Sequence, residues 1–89
     1  MDDAFKMPPI AAVMVTFNPT SSVVKCISAI VEQVAELVIV DNGSEPAVIN
    51  EINMLINKRR NISLILLGDN FGIAHALNVG CRVLLEKSY

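Results

Sequence analysis

A chain of 89 residues suffices for one small domain, and a domain this size buries only about 60% of its unfolded surface, so its core is marginal. Seven Lys and Arg against nine Asp and Glu leave a net charge of −2, which excludes a nucleic-acid surface built on clustered cations. One His and two Cys without Cys-x-x-Cys spacing argue against a zinc site, which takes about four ligands.

The acidic start, MDDAFKMPP, has no apolar signal region, and residues 1–8 read as a disordered lead ended by Pro8-Pro9. A first strand follows as IAAVMVTF, residues 10–17. Its apolarity is continuous rather than alternating, the mark of a strand covered on both faces. After Thr20-Ser21-Ser22 the apolar positions Val23, Ile27, Ile30, Val31 and Val34 form one helical stripe, with Thr20 or Ser21 able to cap its start. ELVIV (36–40) is a second buried strand. Ser44-Glu45-Pro46 opens a second helix, because proline's missing N–H has no partner in a first turn. Its stripe is Val48, Ile49, Ile52, Leu55 and Ile56, and Lys58-Arg59-Arg60 close it as cations complementing the helix dipole. ISLILL (62–67) is a third strand. A third helix begins near Gly72, with Ile73, Leu77, Gly80 and Leu84 on one side and Ala74, Cys81 and Leu85 beside them.

The order β-α-β-α-β-α predicts an α/β, three-layer, Rossmann-like fold with a parallel sheet and right-handed crossovers. The longest apolar run, Ile10–Val15, falls far short of the roughly 20 residues of a membrane helix, and the chain reads as cytoplasmic. Cys26 and Cys81 read as small buried thiols in a reducing compartment. A hydrophobic share of 53% is rich for so small a domain and suggests packing against further protein.

In open parallel sheets, ligands bind beyond the carboxyl ends of the strands. Those ends read Thr16-Phe17-Asn18-Pro19, Asp41-Asn42-Gly43-Ser44 and Gly68-Asp69-Asn70-Phe71-Gly72. Each alone fits a turn or a helix cap. Asp41 is the exception: an ionised carboxylate at the end of a buried strand needs donors, and ligand N–H or ribose O–H groups could supply them. The absence of Gly-x-Gly-x-x-Gly argues against NAD, the absence of a P-loop against nucleotidases, and Asn18 after the first strand against a phospho-receiver domain. His75, alone between two alanines, reads as chemically idle.

The segments VMVTFNP, LVIVDNGS and GDNFGIAHALNVG resemble the N-terminal half of family-2 glycosyltransferases with the GT-A fold. The last matches the family's spaced pattern through Asn70, Gly72, Ala74, Ala76, Asn78 and Gly80. The variants DNGS and NFGIAHALNVG look most like the bacterial rhamnosyltransferase branch, which uses dTDP-rhamnose for cell-surface polysaccharide. The resemblance implies a strand order of 3-2-1 and a nucleotide site. In it Thr16, Phe17 and Asn18 hold the base, and Asp41 accepts from the pyrimidine N–H. Asn42, Gly43 and Ser44 shape the turn beside base and ribose. Asn70 and Gly72 open the third helix, with Asn78 two turns on along nearly the same face. Ala74, Ala76 and Gly80 are small where a helix passes close to its neighbours.

The family's next strand carries an Asp-x-Asp motif for a divalent cation, Mg2+ or Mn2+, and a later carboxylate is its catalytic base. Residues 9–89 therefore read as the nucleotide-binding half of a GT-A domain, cut before that strand, inactive alone and without a cofactor of its own; Asp2-Asp3 reads as solvated surface. The expected partners are a dTDP- or UDP-linked sugar and a second copy of the chain, paired through the uncovered edge of strand one. The alternative is a complete, small, non-catalytic α/β module that binds a nucleotide or a protein.

Overall fold

A computed structural model describes residues 10–89, so the lead over residues 1–8 and Asp2-Asp3 lie outside the described residues. The elements run β1 (Ala11–Thr16), α1 (Val23–Val31), β2 (Glu36–Asp41), α2 (Pro46–Ile56), β3 (Ile62–Leu66) and α3 (Ile73–Glu86). The sheet is parallel throughout, in the order β1-β2-β3, which is the expected 3-2-1 read from the other edge. Its register pairs Thr16 with Asp41 and Asp41 with Leu66, so the strands end level.

Side-chain alternation explains why the strands carry no polar face. Ala12, Met14, Leu37, Ile39, Ile62 and Leu64 pack with Ile27 of α1 and Ile52 of α2. The intervening Ala11, Val13, Val15, Val38, Val40 and Ile65 pack with Ala76 and Leu84 of α3. Three layers result, with α1 and α2 on one face, α3 on the other, and β2 buried between them.

Four local expectations are corrected. The start of α1 has no side-chain cap: the N–H groups of Val23 and Val24 donate to the carbonyls of Thr20 and Ser21, while the Thr20 and Ser22 hydroxyls bond each other. Helix α2 ends at Ile56, so Lys58, Arg59 and Arg60 lie beyond its last turn, and Arg59 pairs with Glu32 at 3.3 Å. Both cysteines are exposed. Finally, α3 faces the sheet with Ala76, Gly80 and Leu84, flanked by half-buried Val79 and Val83, while Ile73, Ala74, Leu77, Cys81 and Leu85 are exposed.

Gly80 sets how closely that helix approaches the sheet. A Cβ there would meet Val13 Cγ1 at 2.5 Å and Val40 Cγ2 at 3.1 Å. At Gly80 the helix lies so close to the sheet that no added Cβ fits without a shift, while Leu84, one turn on, still packs inward. Gly80→Val is therefore expected to destabilise the chain by about 1–3 kcal/mol through overpacking. Thermal unfolding of Gly80→Val alone, and with Val13→Ala, checks this: the second change removes the nearest colliding methyl and should restore part of the loss.

Candidate functional site

The three strand ends are tied into one cluster, and Asp41 is its centre. Thr16 and Asp41 are register partners on the α1/α2 face, and the Thr16 hydroxyl donates to Asp41 Oδ1 at 2.7 Å. The chain then doubles back. The Ser44 hydroxyl donates to the same Oδ1 at 2.6 Å, and the Ser44 N–H donates to Oδ2 at 2.7 Å. Asp41 is 1% exposed, with Thr16, Asn42 and Ser44 buried around it. Its donors thus come from within the chain, and a buried carboxylate here does not by itself call for a ligand. A carboxylate has about four acceptor positions; with three in use, one remains on Oδ2.

Reciprocal bonds join the first loop to the second. The Asn18 N–H donates to Ser44 Oγ at 2.7 Å, and Asn18 Oδ1 accepts from the Glu45 N–H at 2.8 Å. Asn18 achieves this with a left-handed backbone (φ +41°), which asparagine tolerates. Phe17 beside it is half exposed and lines a groove along the outer side of β1 with Met14, Thr16, Pro19 and Ser22.

A second pair of contacts joins the second loop to the third. Asn42 Nδ2 donates to Asn70 Oδ1 at 3.1 Å, and Asn42 Oδ1 accepts from the Phe71 N–H at 2.9 Å. Asn70 Oδ1 also accepts from the Gly72 N–H at 2.9 Å. Gly43, at φ +95°, lies directly on the backbone of Asp69 and Asn70. Gly72 immediately precedes α3, whose first-turn N–H groups have no intrahelical partners and carry partial positive charge.

The structure therefore brings together Thr16, Asn18, Asp41, Asn42, Gly43, Ser44, Asn70 and Gly72, with Phe17 exposed at the rim. Asn78 stands apart. Helix α3 starts at Ile73, so Asn70 precedes it and shares no helical face with Asn78. Asn78 is exposed, about 200° around the helix from the buried Ala76. Two residues of the site had not been singled out. Asp69 orders the third loop by accepting from the Asn70 N–H, and Phe71 tilts its ring against His75 with centroids 5.3 Å apart. Both flank Asn70 in GDNFG, and that adjacency was the available signal.

Chemically the cluster offers hydrogen-bond acceptors, backbone donors and an aromatic rim, a set suited to holding a flat polar ring. No group of three or more His, Cys, Asp or Glu side chains converges among the described residues. With Asp41 engaged by O–H and N–H donors, these residues do not fit a divalent cation. No helix of the described residues is long and apolar enough to cross a membrane.

The model of a family described as Glycosyl transferase family 2 matches residues 11–85, a span that contains all six elements but for the last residue of α3, and all three loops of the cluster. No curated protein matches the chain.

Proposed function

The chain belongs to glycosyl transferase family 2, and from that premise we propose that its three strand ends bind the nucleotide of a sugar-nucleotide donor. One observation carries the reading: the matched span includes every loop of the cluster, and those loops are hydrogen-bonded into a single edge. The remaining acceptor position of Asp41 takes the pyrimidine N–H, a charge-assisted bond roughly twice as strong as a neutral one. Phe17 packs against the ring, and the first turn of α3 faces the diphosphate. The donor we favour is dTDP-rhamnose, or another dTDP- or UDP-linked sugar, used for cell-surface polysaccharide; DNGS and NFGIAHALNVG support that branch.

The described residues hold no group of three or more converging His, Cys, Asp or Glu side chains. On the family resemblance we assign the metal ligands and the catalytic base of the transfer reaction to protein outside residues 10–89, and expect this chain alone to bind without catalysing. Two exposed thiols suit a reducing, cytoplasmic setting.

Equilibrium binding of UDP, dTDP, ADP and N3-methyl-UDP tests the proposal. UDP and dTDP should bind, while ADP and the methylated analogue, lacking the N–H that Asp41 accepts, should bind at least about tenfold more weakly. Equal binding of all four would contradict a base-reading site.

The β1 edge supports a second copy of the chain as partner. Ala11–Thr16 carries neither charge nor proline, the usual guards of an open edge. Apolar grooves flank it on both faces, one with Met14, Val23 and Cys26, the other with Val13, Leu84 and Leu85. We expect light scattering to give a dimer mass at high concentration, and a charge placed at exposed Leu85, in the second groove, to return the monomer. A monomer at every concentration would contradict this.

A further inference from the structure

Asn42 is 2% exposed, yet it is a side chain with two donors and an acceptor at a ligand-binding edge. Its oxygen is fixed by the Phe71 N–H, which can only donate. That leaves its NH2 group facing Asn70, whose own oxygen is fixed by the Gly72 N–H. The two amides are therefore oriented by two backbone donors, and the bond between them runs in one direction only. Gly43 reinforces the contact by laying its backbone against Asp69 and Asn70.

We propose that Asn42 is a positioning residue rather than a nucleotide contact. It locks the loop after β3 onto the loop after β2, so that Phe71 and the first turn of α3 are held at the binding edge before a ligand arrives. The inference rests on the nucleotide-binding reading for its purpose, but the lock itself is a property of the free chain. A preformed edge spares the ligand the entropy of ordering the third loop.

The directionality supplies the test. In Asn70→Asp the carboxylate still accepts from both Asn42 Nδ2 and the Gly72 N–H, so the lock survives. In Asn42→Asp the same chemical change replaces the donor with an acceptor, facing Asn70 Oδ1, and the lock breaks. Amide hydrogen exchange of the two variants, read at Phe71 and Gly72, should show about tenfold faster exchange in Asn42→Asp, as expected for the loss of one net hydrogen bond, and near-native exchange in Asn70→Asp. Amides of β2 should be unchanged in both. Should the buried carboxylate keep Asn42→Asp from folding, Asn42→Ala removes both contacts without charge and should show the same acceleration. Equal effects of the two aspartate variants, or native exchange in Asn42→Ala, would overturn the proposal. UDP titration of Asn42→Ala should show reduced affinity, since the ligand must then order the third loop itself. Failure of the unmutated chain to bind UDP would count against the nucleotide reading and leave the exchange result to decide the lock.

Discussion

Gly43→Ala is expected to unfold the second and third loops from one another and to lower the thermal midpoint by roughly 10 °C. Two costs combine. The residue sits at φ +95°, a backbone region where a side chain costs about 1–3 kcal/mol. The added Cβ would also lie 2.8 Å from the carbonyl carbon of Asp69 and 2.9 Å from its Cα. These are backbone atoms and cannot rotate away, so the whole third loop must retreat. Gly68 is the internal control. It has φ +80° but nothing within 4 Å of its Cβ position, so Gly68→Ala should carry the conformational cost alone. Melting curves of both variants, with UDP binding measured on each, check the account. Gly43→Ala should lose stability and binding together, and Gly68→Ala should lose less of both. Equal melting temperatures would mean that the loop contact carries no weight.

Asp41→Ala is expected to be more damaging than the loss of a ligand contact. Removing the carboxylate strands the Thr16 hydroxyl, the Ser44 hydroxyl and the Ser44 N–H, all in buried residues. Each unsatisfied buried group costs about 1–3 kcal/mol, though hydroxyls can turn to other acceptors, so a total of about 3–5 kcal/mol is expected. Against the roughly 5–15 kcal/mol that hold a small domain together, that is a large share. Thr16→Val removes one donor and leaves the carboxylate its other two, so it should cost only about 1 kcal/mol. Urea unfolding separates the cases. A midpoint for Asp41→Ala equal to that of the unmutated chain would show that the carboxylate serves the ligand alone and that its internal bonds are incidental.

Much of this architecture is visible in the residues. IAAVMVTF, ELVIV and ISLILL are apolar at consecutive positions because helices cover both faces of the sheet, and two-sided burial leaves that pattern and no other. The α2 stripe of Val48, Ile49, Ile52, Leu55 and Ile56 is inward throughout, since nothing but hydrophobicity sets its orientation. On α3 the expected stripe holds at Gly80 and Leu84 but not at Ile73 and Leu77, which are exposed. Gly80 and Ala76 let the backbone approach Val13 and Val40, and small residues of that kind are what a count of apolar positions passes over. Cys81 stays exposed, being on the outward side of that helix.

The site divides similarly. Turn residues at three strand ends are legible, because parallel topology puts those ends on one edge. The bonds among them are not. Asn42 and Asn70 are 28 residues apart, and neither has a neighbour whose identity announces the other. Asp41 shows the limit most clearly: the need of a buried carboxylate for donors can be read from its position, but not that Thr16 and Ser44 meet it.

The central claim is that the ends of β1, β2 and β3 form one nucleotide-binding edge, and amide shift mapping of the isotope-labelled chain with UDP and then dTDP tests it most directly. Saturable shifts at Thr16–Asn18, Asp41–Ser44 and Asn70–Gly72, with Asn57–Asn61 silent at the far end of the sheet, are the result expected. Shifts confined to the groove between α1 and α2, around Val24, Val48 and Leu55, or no shifts at millimolar nucleotide, would contradict it.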